Sequence, residues 1–515
     1  MSDVIGYRWL AERYEVKTVQ PLRTVSVIAR SRATVREDGF VHEQYPASAR
    51  PAESLAGHLT FAFKHEGLHL EFLARLFQRL PPADLEAWIA LEPTGQYARR
   101  AGFFYELLTG QTLDFPGVTV GNYVAAMDES RYLTATSAIN NMRWRVRDNL
   151  PGTRHFCPLV LRTAAVQQAE SYPCSKRLEE LEMEFGADLL QRSAIWLTIK
   201  ESRASFAIEH EEQHVDRVRR FAAAMERWCG QYEDPLSEAS LTALQTEILG
   251  PRATRYGVRQ SPVFVGEVDG FQEVVHYIAP HWEAAPQLLS GLRDCAARTR
   301  GAGALVRAAV LSFGFVYIHP MSDGNGRISR FLINDVLRRD GAVPPPFILP
   351  VSATINSSVI KRRGYDQVLE LFSRPFMRRY GEAWQLGRER QAEDGVRYNL
   401  EFEAYEDALS AWRYPDLTDH VEYLADIVRT TLEVEMHKEA SHLRQLRLAR
   451  DQVKQVIEGP DADIDRIIRS VRDNAGKVSH KLAKEFPALA DEDTADALVA
   501  ALLPVLRSTP PGKPS

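Results

Sequence analysis

Cysteine is scarce in this 515-residue sequence, and its four cysteines are scattered along the chain. They form no CxxC pair, which excludes a cysteine zinc cluster and suits a reducing compartment. No stretch reaches the roughly 18 uncharged apolar residues that a bilayer-spanning helix needs. The first residues also lack the basic end, apolar stretch and cleavage site of a signal peptide. The sequence therefore predicts a cytoplasmic protein that does not interact with membranes.

Neither sign of charge dominates the composition. The chain has 63 Lys and Arg against 69 Asp and Glu, a net charge of −6, which predicts solubility and gives no sign of an overall nucleic-acid-binding field. Hydrophobic residues make up 45% and charged residues 26%, as in an ordinary globular protein. Fibrous and disordered classes are thereby excluded, and the length allows two or three domains or one core with large helical additions.

Most of the chain has the apolar spacing of α-helices, notably at 176–250, 284–376 and beyond 400. Residues 262–278 differ, because β-branched and aromatic residues flank a Val-Asp-Gly turn, which predicts a β-hairpin. RTVSVIAR near the N-terminus is also rich in strand-forming residues. A helical pattern is predicted to begin at about Glu53 and to run through HLTFAFKHEGLHLEFLARLF.

The most informative string is YIHPMSDGNGRISRFLINDVL at 317–337. Pro320 disfavours continuation of an apolar helix beyond His319. Gly324 and Gly326 allow a tight turn before a second helix, which is predicted to stop near Gly341. The free N–H groups and the dipole at the start of that second helix favour a bound anion.

The polar side chains around this turn suit a nucleotide phosphate. His319 can act as a general base near neutral pH. Asp323 offers the hard oxygen ligand that a phosphate-bound Mg²⁺ prefers, and Arg327 and Arg330 can bind phosphate oxygens bidentately. Residue chemistry alone thus predicts a phosphate site with a base and a metal ligand.

The string HPMSDGNGRISR resembles the Fic family motif, HPFx[D/E]GNGRxxR, with Met321 in place of the usual Phe. The resemblance implies a mainly α fold, with a Fic-type helical core, a small β-hairpin flap and further helical regions at both ends. It implies transfer of AMP from ATP to a Ser, Thr or Tyr hydroxyl of a protein, with Mg²⁺ or Mn²⁺ as cofactor. The target would dock on the flap at 262–278, and self-modification is also expected.

The same resemblance implies a role for each matching residue. His319 would take the proton of the target hydroxyl, and Asp323 would hold the metal ion between the α- and β-phosphates. The nucleotide-binding residues would be Gly324, Asn325 and Gly326 at the α-phosphate, oriented in part by the Asn325 side chain, Arg327 and Arg330 at the outer phosphates, and Tyr365 beside the adenine.

A second resemblance lies upstream, in ESRASFAIEHEEQH at 201–214. A Fic subclass carries an inhibitory helix with the pattern [S/T]xxxE[G/N]. Ser205 and Glu209 fit it, whereas His210 stands where Gly or Asn is usual. The resemblance implies autoinhibition, in which Glu209 occupies the guanidinium of Arg330 that the γ-phosphate needs. The same glutamate could instead assist the reverse reaction, removal of AMP.

Two HExxH strings, at 65–69 and 210–214, raise a zinc-site alternative. Gly67 weakens the first string as a helix, and the second is unusually polar for a buried metal site. Neither is followed by the HxxGxxH extension that would make the motif specific. Histidine and glutamate at solvated or partly packed helix positions are the preferred interpretation.

Two other functions stay open. A related transferase could use another phosphate-containing donor, such as a different nucleotide or CDP-choline. Alternatively, helices around DRIIRSVRDNAGKVSHKLAKEF resemble a weak helix-turn-helix, so the C-terminal region could contact DNA in a regulatory protein. The intact motif favours the enzyme.

The sequence predicts five regions. They are a mixed, mostly helical N-terminal region at 1–160, a helical segment with the inhibitory motif at 161–215, the Fic catalytic core at 216–376, a C-terminal helical region at 377–508 and a disordered tail at 509–515.

Overall fold

The computed structural model describes residues 3–507, except 38, 212, 252–254, 270 and 271. The described chain is mainly α-helical with small sheets, so the predicted fold class is confirmed. The predicted tail at 509–515 and two turn residues of the predicted hairpin lie outside the described residues. Among the helices that the structure describes, none combines the length and apolar character needed to cross a membrane.

The chain divides into two compact units, and the division differs from the predicted regions. The first unit combines Met1–Pro173 with Ile199–Val428, and the second combines Cys174–Thr198 with Arg429–Ser515. The boundaries predicted at 160, 215 and 376 do not separate these units, because apolar periodicity marks elements and does not say which elements pack together. Every candidate site residue lies in the first unit.

The N-terminal part of the first unit joins a four-stranded sheet, in the order β1-β2-β4-β3, to a group of helices around one apolar core. RTVSVIAR forms β2, as predicted. The elements are β1 (Val4–Ile5), α1 (Tyr7–Arg13), β2 (Thr24–Ile28), β3 (Ala33–Glu37), β4 (Phe40–Tyr45), α2 (Leu55–Phe61), α3 (Leu70–Arg79), α4 (Pro82–Leu91), α5 (Gln96–Thr109), β5 (Val124–Ala125), β6 (Ile139–Asn141), β7 (Val146–Asp148) and α6 (Ala164–Glu170), with short 3-10 and π turns at Ala47–Ala49 and Ala62–Glu66.

The helical pattern predicted from Glu53 is confirmed in α2, the π turn and α3, with a break at 67–69 that was not predicted. Ser54 caps α2, its side chain accepting the N–H of Gly57, but the helix ends at Phe61. After the π turn, Gly67 adopts φ 91°, a conformation that favours glycine and breaks the helix before α3.

The remaining elements of the first unit build and surround the predicted core. Its buried centre is α12, which packs against α13 and is mostly apolar around its circumference, with Arg307 as its charged residue. In chain order the elements are α7 (Cys174–Phe185), which belongs to the second unit, α8 (Ala187–Ile208), which begins in the second unit and ends in the first, and then, all in the first unit, α9 (Val215–Trp228), α10 (Glu238–Leu249), β8 (Phe264–Asp269), β9 (Gln272–Ile278), α11 (Ala285–Arg298), α12 (Ala304–Ile318), α13 (Asn325–Arg339), α14 (Val351–Ile355) and α15 (Val359–Tyr380).

The predicted hairpin is confirmed, because β8 and β9 pair antiparallel from Phe264 with Ile278 to Asp269 with Gln272. A second antiparallel hairpin was not predicted. It is β10 (Trp384–Gln391) and β11 (Arg397–Phe402), in a stretch predicted to be helical, and α16 (Tyr405–Arg413) and α17 (Thr418–Thr430) follow it. The residues of β10 are mostly polar and exposed, so they lack the sustained apolar alternation that would identify a strand.

The second unit has its own apolar core, formed by its C-terminal helices. They are a π turn at Thr431–Glu435, α18 (Met436–Lys454), α19 (Asp461–Asp473), α20 (His480–Glu485), a 3-10 turn at Pro487–Ala490 and α21 (Glu492–Arg507). The predicted helix-turn-helix falls on α19 and α20, and α20 has only six residues. Basic side chains here pair with carboxylates, as Arg466 does with Glu485. The DNA contact stays a prediction that no observation favours.

Candidate active site

His319 ends α12 in the left-handed conformation, at φ 49°, immediately before Pro320. Its Nδ1 lies 3.3 Å from the carbonyl oxygen of Val316, which can only accept, so Nδ1 carries the proton and Nε2 keeps a free lone pair. Burial, and after it the charge of Arg259, lowers the pKa of His319 to about 4. At neutral pH the imidazole is therefore uncharged and able to accept a proton at Nε2.

The loop between α12 and α13 is braced by the side chain of Asn325. Its Oδ1 accepts the N–H of Met321 at 2.9 Å, and its Nδ2 donates to the carbonyl of Met321 at 2.8 Å. The second N–H of Nδ2 is not used by these two bonds, so the predicted role of this side chain in orienting a phosphate stays a prediction. Asn325 would also offer its backbone N–H at the start of α13. Met321 is fully buried and fills the core as predicted.

The N-terminus of α13 is shaped by its two glycines. Gly324 caps the helix at φ 82°, a left-handed conformation in which side chains are strained. Gly326 faces a carboxylate so closely that a Cβ at this position would lie 2.4 Å from Oε1 of Glu209. The absence of a side chain at 326 therefore leaves room for an anionic group against the first turn of α13.

Asp323 offers an exposed carboxylate beside this turn. Its side chain is 59% exposed, and its Oδ1 lies 3.1 Å from Nη2 of Arg327. Gln245, fully buried in α10, holds the loop by donating to the carbonyl of Asp323 at 2.8 Å. One carboxylate together with phosphate oxygens and water is a donor set that Mg²⁺ accepts, so the residues present fit the predicted metal role.

The structure brings Ser205 and Glu209 against Arg330. The Nε of Arg330 donates to Oγ of Ser205 at 2.6 Å, and its Nη2 donates to Oε1 of Glu209 at 2.5 Å. Oε2 of Glu209 lies 2.9 Å from Nε of Arg327, so one carboxylate bridges both arginines. Each of these arginines is only 2% exposed. Although burial acts in the opposite direction, the charge of Glu209 and its hydrogen bond raise the pKa of Arg330.

His210 has the conformation for which the inhibitory pattern uses Gly or Asn. Its φ is 59°, and the helix ends in a Schellman turn, in which the N–H of Glu211 bonds to the carbonyl of Phe206 at 2.9 Å and that of His210 to Ala207 at 3.2 Å. The helix therefore ends as the pattern implies even though His210 stands in place of Gly or Asn. A residue with a side chain is strained in this left-handed conformation.

Glu211 is a site residue that the sequence did not predict. Its Oε2 lies 3.1 Å from Nη1 of Arg327 and 3.3 Å from Nη1 of Arg217. The sequence drew attention to Glu211 only as part of an HExxH string. The Schellman turn is what directs it towards the same arginine that Glu209 reaches.

Neither HExxH string forms the continuous helix that a zinc site would need. In the second string α8 ends before His210, and α9 begins after His214. In the first, Glu66 is buried and accepts the N–H of Tyr7 at 2.7 Å, while Nδ1 of His69 accepts the N–H of Phe72 at the start of α3. Within the described chain, no three His, Cys, Asp or Glu side chains cluster in a way that could hold a metal ion.

Two further residues complete the surroundings. Glu201, one helical turn before Ser205, is fully buried and accepts the N–H and the hydroxyl of Ser352, which fastens the end of α8 to the segment after α13. Glu201 stands four residues before Ser205, on the same face of the helix, and this spacing is the signal by which the sequence could have identified it.

Tyr365 is 8% exposed on α15, with its ring 6.3 Å from that of Tyr423, so its predicted contact with adenine remains a prediction.

The sequence of this region is similar to known proteins. Residues 235–337 match the model of the Fic/DOC family. A segment of 96 residues, 18% of this chain, is 33% identical to protein adenylyltransferase fic-1 of Caenorhabditis briggsae, and a segment of 45 residues, 9% of this chain, is 49% identical to protein adenylyltransferase fic-1 of Caenorhabditis elegans. These segments span only 17% and 8% of those relatives.

Two solved structures show a distant likeness. A Fic family protein from Desulfovibrio desulfuricans G20 aligns at a TM-score of 0.34 and 20% identity, over 67% of this chain and 87% of that one. A Fic domain containing signaling protein from Bacteroides thetaiotaomicron VPI-5482 aligns at a TM-score of 0.32 and 18% identity, over 52% of this chain and 98% of that one. The sequence match at 235–337 contains the whole of the 319–330 motif.

Proposed function

Because this chain belongs to the Fic/DOC family through the domain at residues 235–337, we propose that it is a Fic-type protein adenylyltransferase. It transfers AMP from ATP to a Ser, Thr or Tyr hydroxyl of a target protein. The observation that supports this most directly is the position of His319, whose Nδ1 lies 3.3 Å from the carbonyl oxygen of Val316 and so leaves Nε2 to accept a proton, beside a helix N-terminus flanked by two buried arginines. Four buried free thiols are consistent with a cytoplasmic location.

In the proposed reaction, Nε2 of His319 accepts the proton of the target hydroxyl as its oxygen attacks the α-phosphorus. A new phosphorus–oxygen bond forms, the bond to the bridging oxygen breaks, and pyrophosphate leaves. The N–H groups that begin α13 stabilise the charge on the α-phosphate, while Arg327 and Arg330 hold the outer phosphates. Asp323 would hold Mg²⁺, which supplies further neutralisation of phosphate charge.

Autoinhibition by Glu209 is the second part of the proposal. Its carboxylate stands against the first turn of α13 and pairs with both arginines, so it takes the place that an anionic phosphate would occupy. A bound γ-phosphate would lose these arginines and meet a like charge. A hydrogen bond to a charged group contributes about 1.5–3 kcal/mol, so removing it should raise activity about tenfold to hundredfold.

The experiment compares wild type with Glu209→Gly, each incubated with ATP, GTP, CTP, UTP or CDP-choline and either Mg²⁺ or a chelator. Intact-mass spectrometry detects the group added to the protein, and a coupled assay detects released pyrophosphate whatever the acceptor. We expect Glu209→Gly to release pyrophosphate from ATP at least tenfold faster than wild type, to gain AMP units, and to lose both in chelator.

Glu226→Gly is the matched control, because it makes the same glutamate-to-glycine change at an exposed position of the neighbouring helix α9. This control should behave as wild type. An adduct of phosphocholine would show that the donor is CDP-choline and not ATP. Loss of AMP from a modified protein, faster in wild type than in Glu209→Gly, would instead support removal of AMP. No reaction of Glu209→Gly with any donor would refute the transferase.

A further inference from the structure

Arg259 lies in the segment before β8 and is almost completely buried, with 2% of its surface exposed. Its guanidinium donates to three backbone carbonyls: from Nε to His319 at 2.7 Å, from Nη1 to Ser261 at 3.0 Å and from Nη2 to Pro280 at 2.6 Å. Its own N–H bonds to the carbonyl of Pro320 at 2.9 Å. One side chain thus joins three stretches of backbone that are distant in the sequence.

Burying the charge of Arg259 without a carboxylate partner is unfavourable in free energy, which is unusual for a residue with a purely structural role. Among the described residues no carboxylate pairs with Arg259, and burial lowers its pKa to about 10. Buried charges are normally paired with an opposite charge, because desolvation strongly disfavours a lone ion. Three neutral carbonyls satisfy the hydrogen bonds of Arg259 but not its charge.

The three carbonyls have a common relation to the proposed chemistry. Ser261 comes just before β8, and Pro280 just after β9, so they are the two ends of the hairpin on which a target is expected to dock. The third carbonyl belongs to His319 itself, which is held in a left-handed conformation. A backbone bridge between Val258 and Met321 further joins this segment to the motif loop.

We propose that Arg259 is a positioning residue that fixes His319 and both ends of the hairpin as one unit. The acceptor hydroxyl on a hairpin-bound protein then meets Nε2 of His319 at a set distance. This inference rests on the proposed function of His319. A rigid planar fork can make these three bonds together, whereas the ammonium of lysine on its flexible stem cannot reproduce their geometry. Misplacement of a reacting group by about 1 Å can cost about 100-fold in rate.

The test places Arg259→Met and Arg259→Lys in the Glu209→Gly background. It measures the rate of pyrophosphate release at saturating ATP, the Kd of ATP, and the pKa of the His319 imidazole by NMR of ¹³C-histidine-labelled protein, assigned with His319→Gln. Arg99→Met is the control, because Arg99 is 4% exposed and donates to a backbone carbonyl at 2.7 Å, that of Asn122, away from the motif.

We expect Arg259→Met to slow release about 100-fold at an unchanged Kd for ATP. The pKa of His319 should rise above about 4 but stay below its ordinary value, because the repelling charge of Arg259 is gone while burial, the larger cause of the lowering, remains. Arg259→Lys keeps the charge, so the pKa should stay low while the rate still falls at least tenfold. Arg99→Met should change neither the rate nor the pKa.

Rates within twofold of the parent in both Arg259 variants would overturn the proposal, even if their Tm falls. If Arg259→Met does not fold, Arg259→Lys decides alone, and an unchanged rate there refutes the positioning role. If His319→Gln still releases pyrophosphate at the parent rate, the proposed base has failed. The imidazole pKa in the Arg259 variants then still reports whether Arg259 and His319 are coupled.

Discussion

The two sides of the turn between α12 and α13 are held by opposite kinds of partner. On the α12 side, His319 is fixed by carbonyl contacts: its own Nδ1 bonds to Val316, and its carbonyl accepts from Arg259. On the α13 side, the guanidinium groups of Arg327 and Arg330 are occupied by carboxylates from the end of α8.

This difference indicates which half of the site is assembled and which is blocked. Every contact that places His319 comes from residues within the predicted core, so it does not depend on whether the end of α8 is docked. The contacts that occupy the arginines come from residues 205–211 and must be broken before phosphates can replace them. Changes on the two sides should therefore affect catalysis and nucleotide access separately.

The largest expected effect is the loss of the base. His319→Ala in the Glu209→Gly background should slow AMP transfer about 100-fold to 10,000-fold, the range typical of positioned proton acceptors. The Kd of ATP, measured by calorimetry, should stay within about threefold, because His319 lies on the α12 side of the turn. His214→Ala is the control, since this exposed residue belongs to the HEEQH string but not to the assembled half. If His319→Ala also weakened ATP binding, catalysis and nucleotide access would not be separate functions of the two sides of the turn.

A smaller effect is expected from Glu211→Gln, which keeps the shape of the side chain and removes its charge. Glu211 is 32% exposed and shares its carboxylate with Arg217, so its pair with Arg327 is worth less than a fully buried one, about 1 kcal/mol. AMP transfer should rise about fivefold.

The double variant of Glu209 and Glu211 tests whether the two carboxylates act together. Because both reach Arg327, their effects should not add, and the deviation should appear in a double-mutant cycle of transfer rates. Glu226→Gln serves as the exposed control on α9. A slower Glu211→Gln enzyme would show that Glu211 supports catalysis rather than opposing it.

The features that the sequence predicted are those with local causes. Pro320 ends a helix at the preceding residue, and Gly324 and Gly326 permit a tight turn, so the motif loop follows from neighbouring residues. The 262–278 hairpin follows from strand-forming residues around a turn signal. Ser205 and Glu209 were identified through the resemblance to the inhibitory pattern [S/T]xxxE[G/N], whose spacing of four places both on one face of a helix.

The missed features depend on distant partners. Arg259 acts through carbonyls as far as 60 residues away, and a single arginine in GVRQSP gives no sign of that. The mostly polar strand β10 lacks sustained apolar alternation, so its pairing with β11 cannot be deduced from its own residues. Glu211 points at Arg327 because His210 adopts a left-handed conformation, which is uncommon for any residue with a side chain and so could not be assumed from the sequence.

A change at His210 that relieves its left-handed backbone should give the smallest of the expected effects on AMP transfer. It should act only on the α13 side of the turn, where the carboxylates occupy the arginines. With the end of α8 docked, residue 210 must stay at φ 59° for Glu211 to reach Arg327. Glycine adopts this conformation without the strain of a side chain, which costs other residues roughly 1 kcal/mol, but it also loses more entropy on ordering. His210→Gly should therefore favour the docked state and slow AMP transfer by wild type about twofold to fivefold. In the Glu209→Gly background, where the main contact is gone, the same change should have a weaker effect, and faster transfer by His210→Gly in wild type would mean that the turn opposes docking.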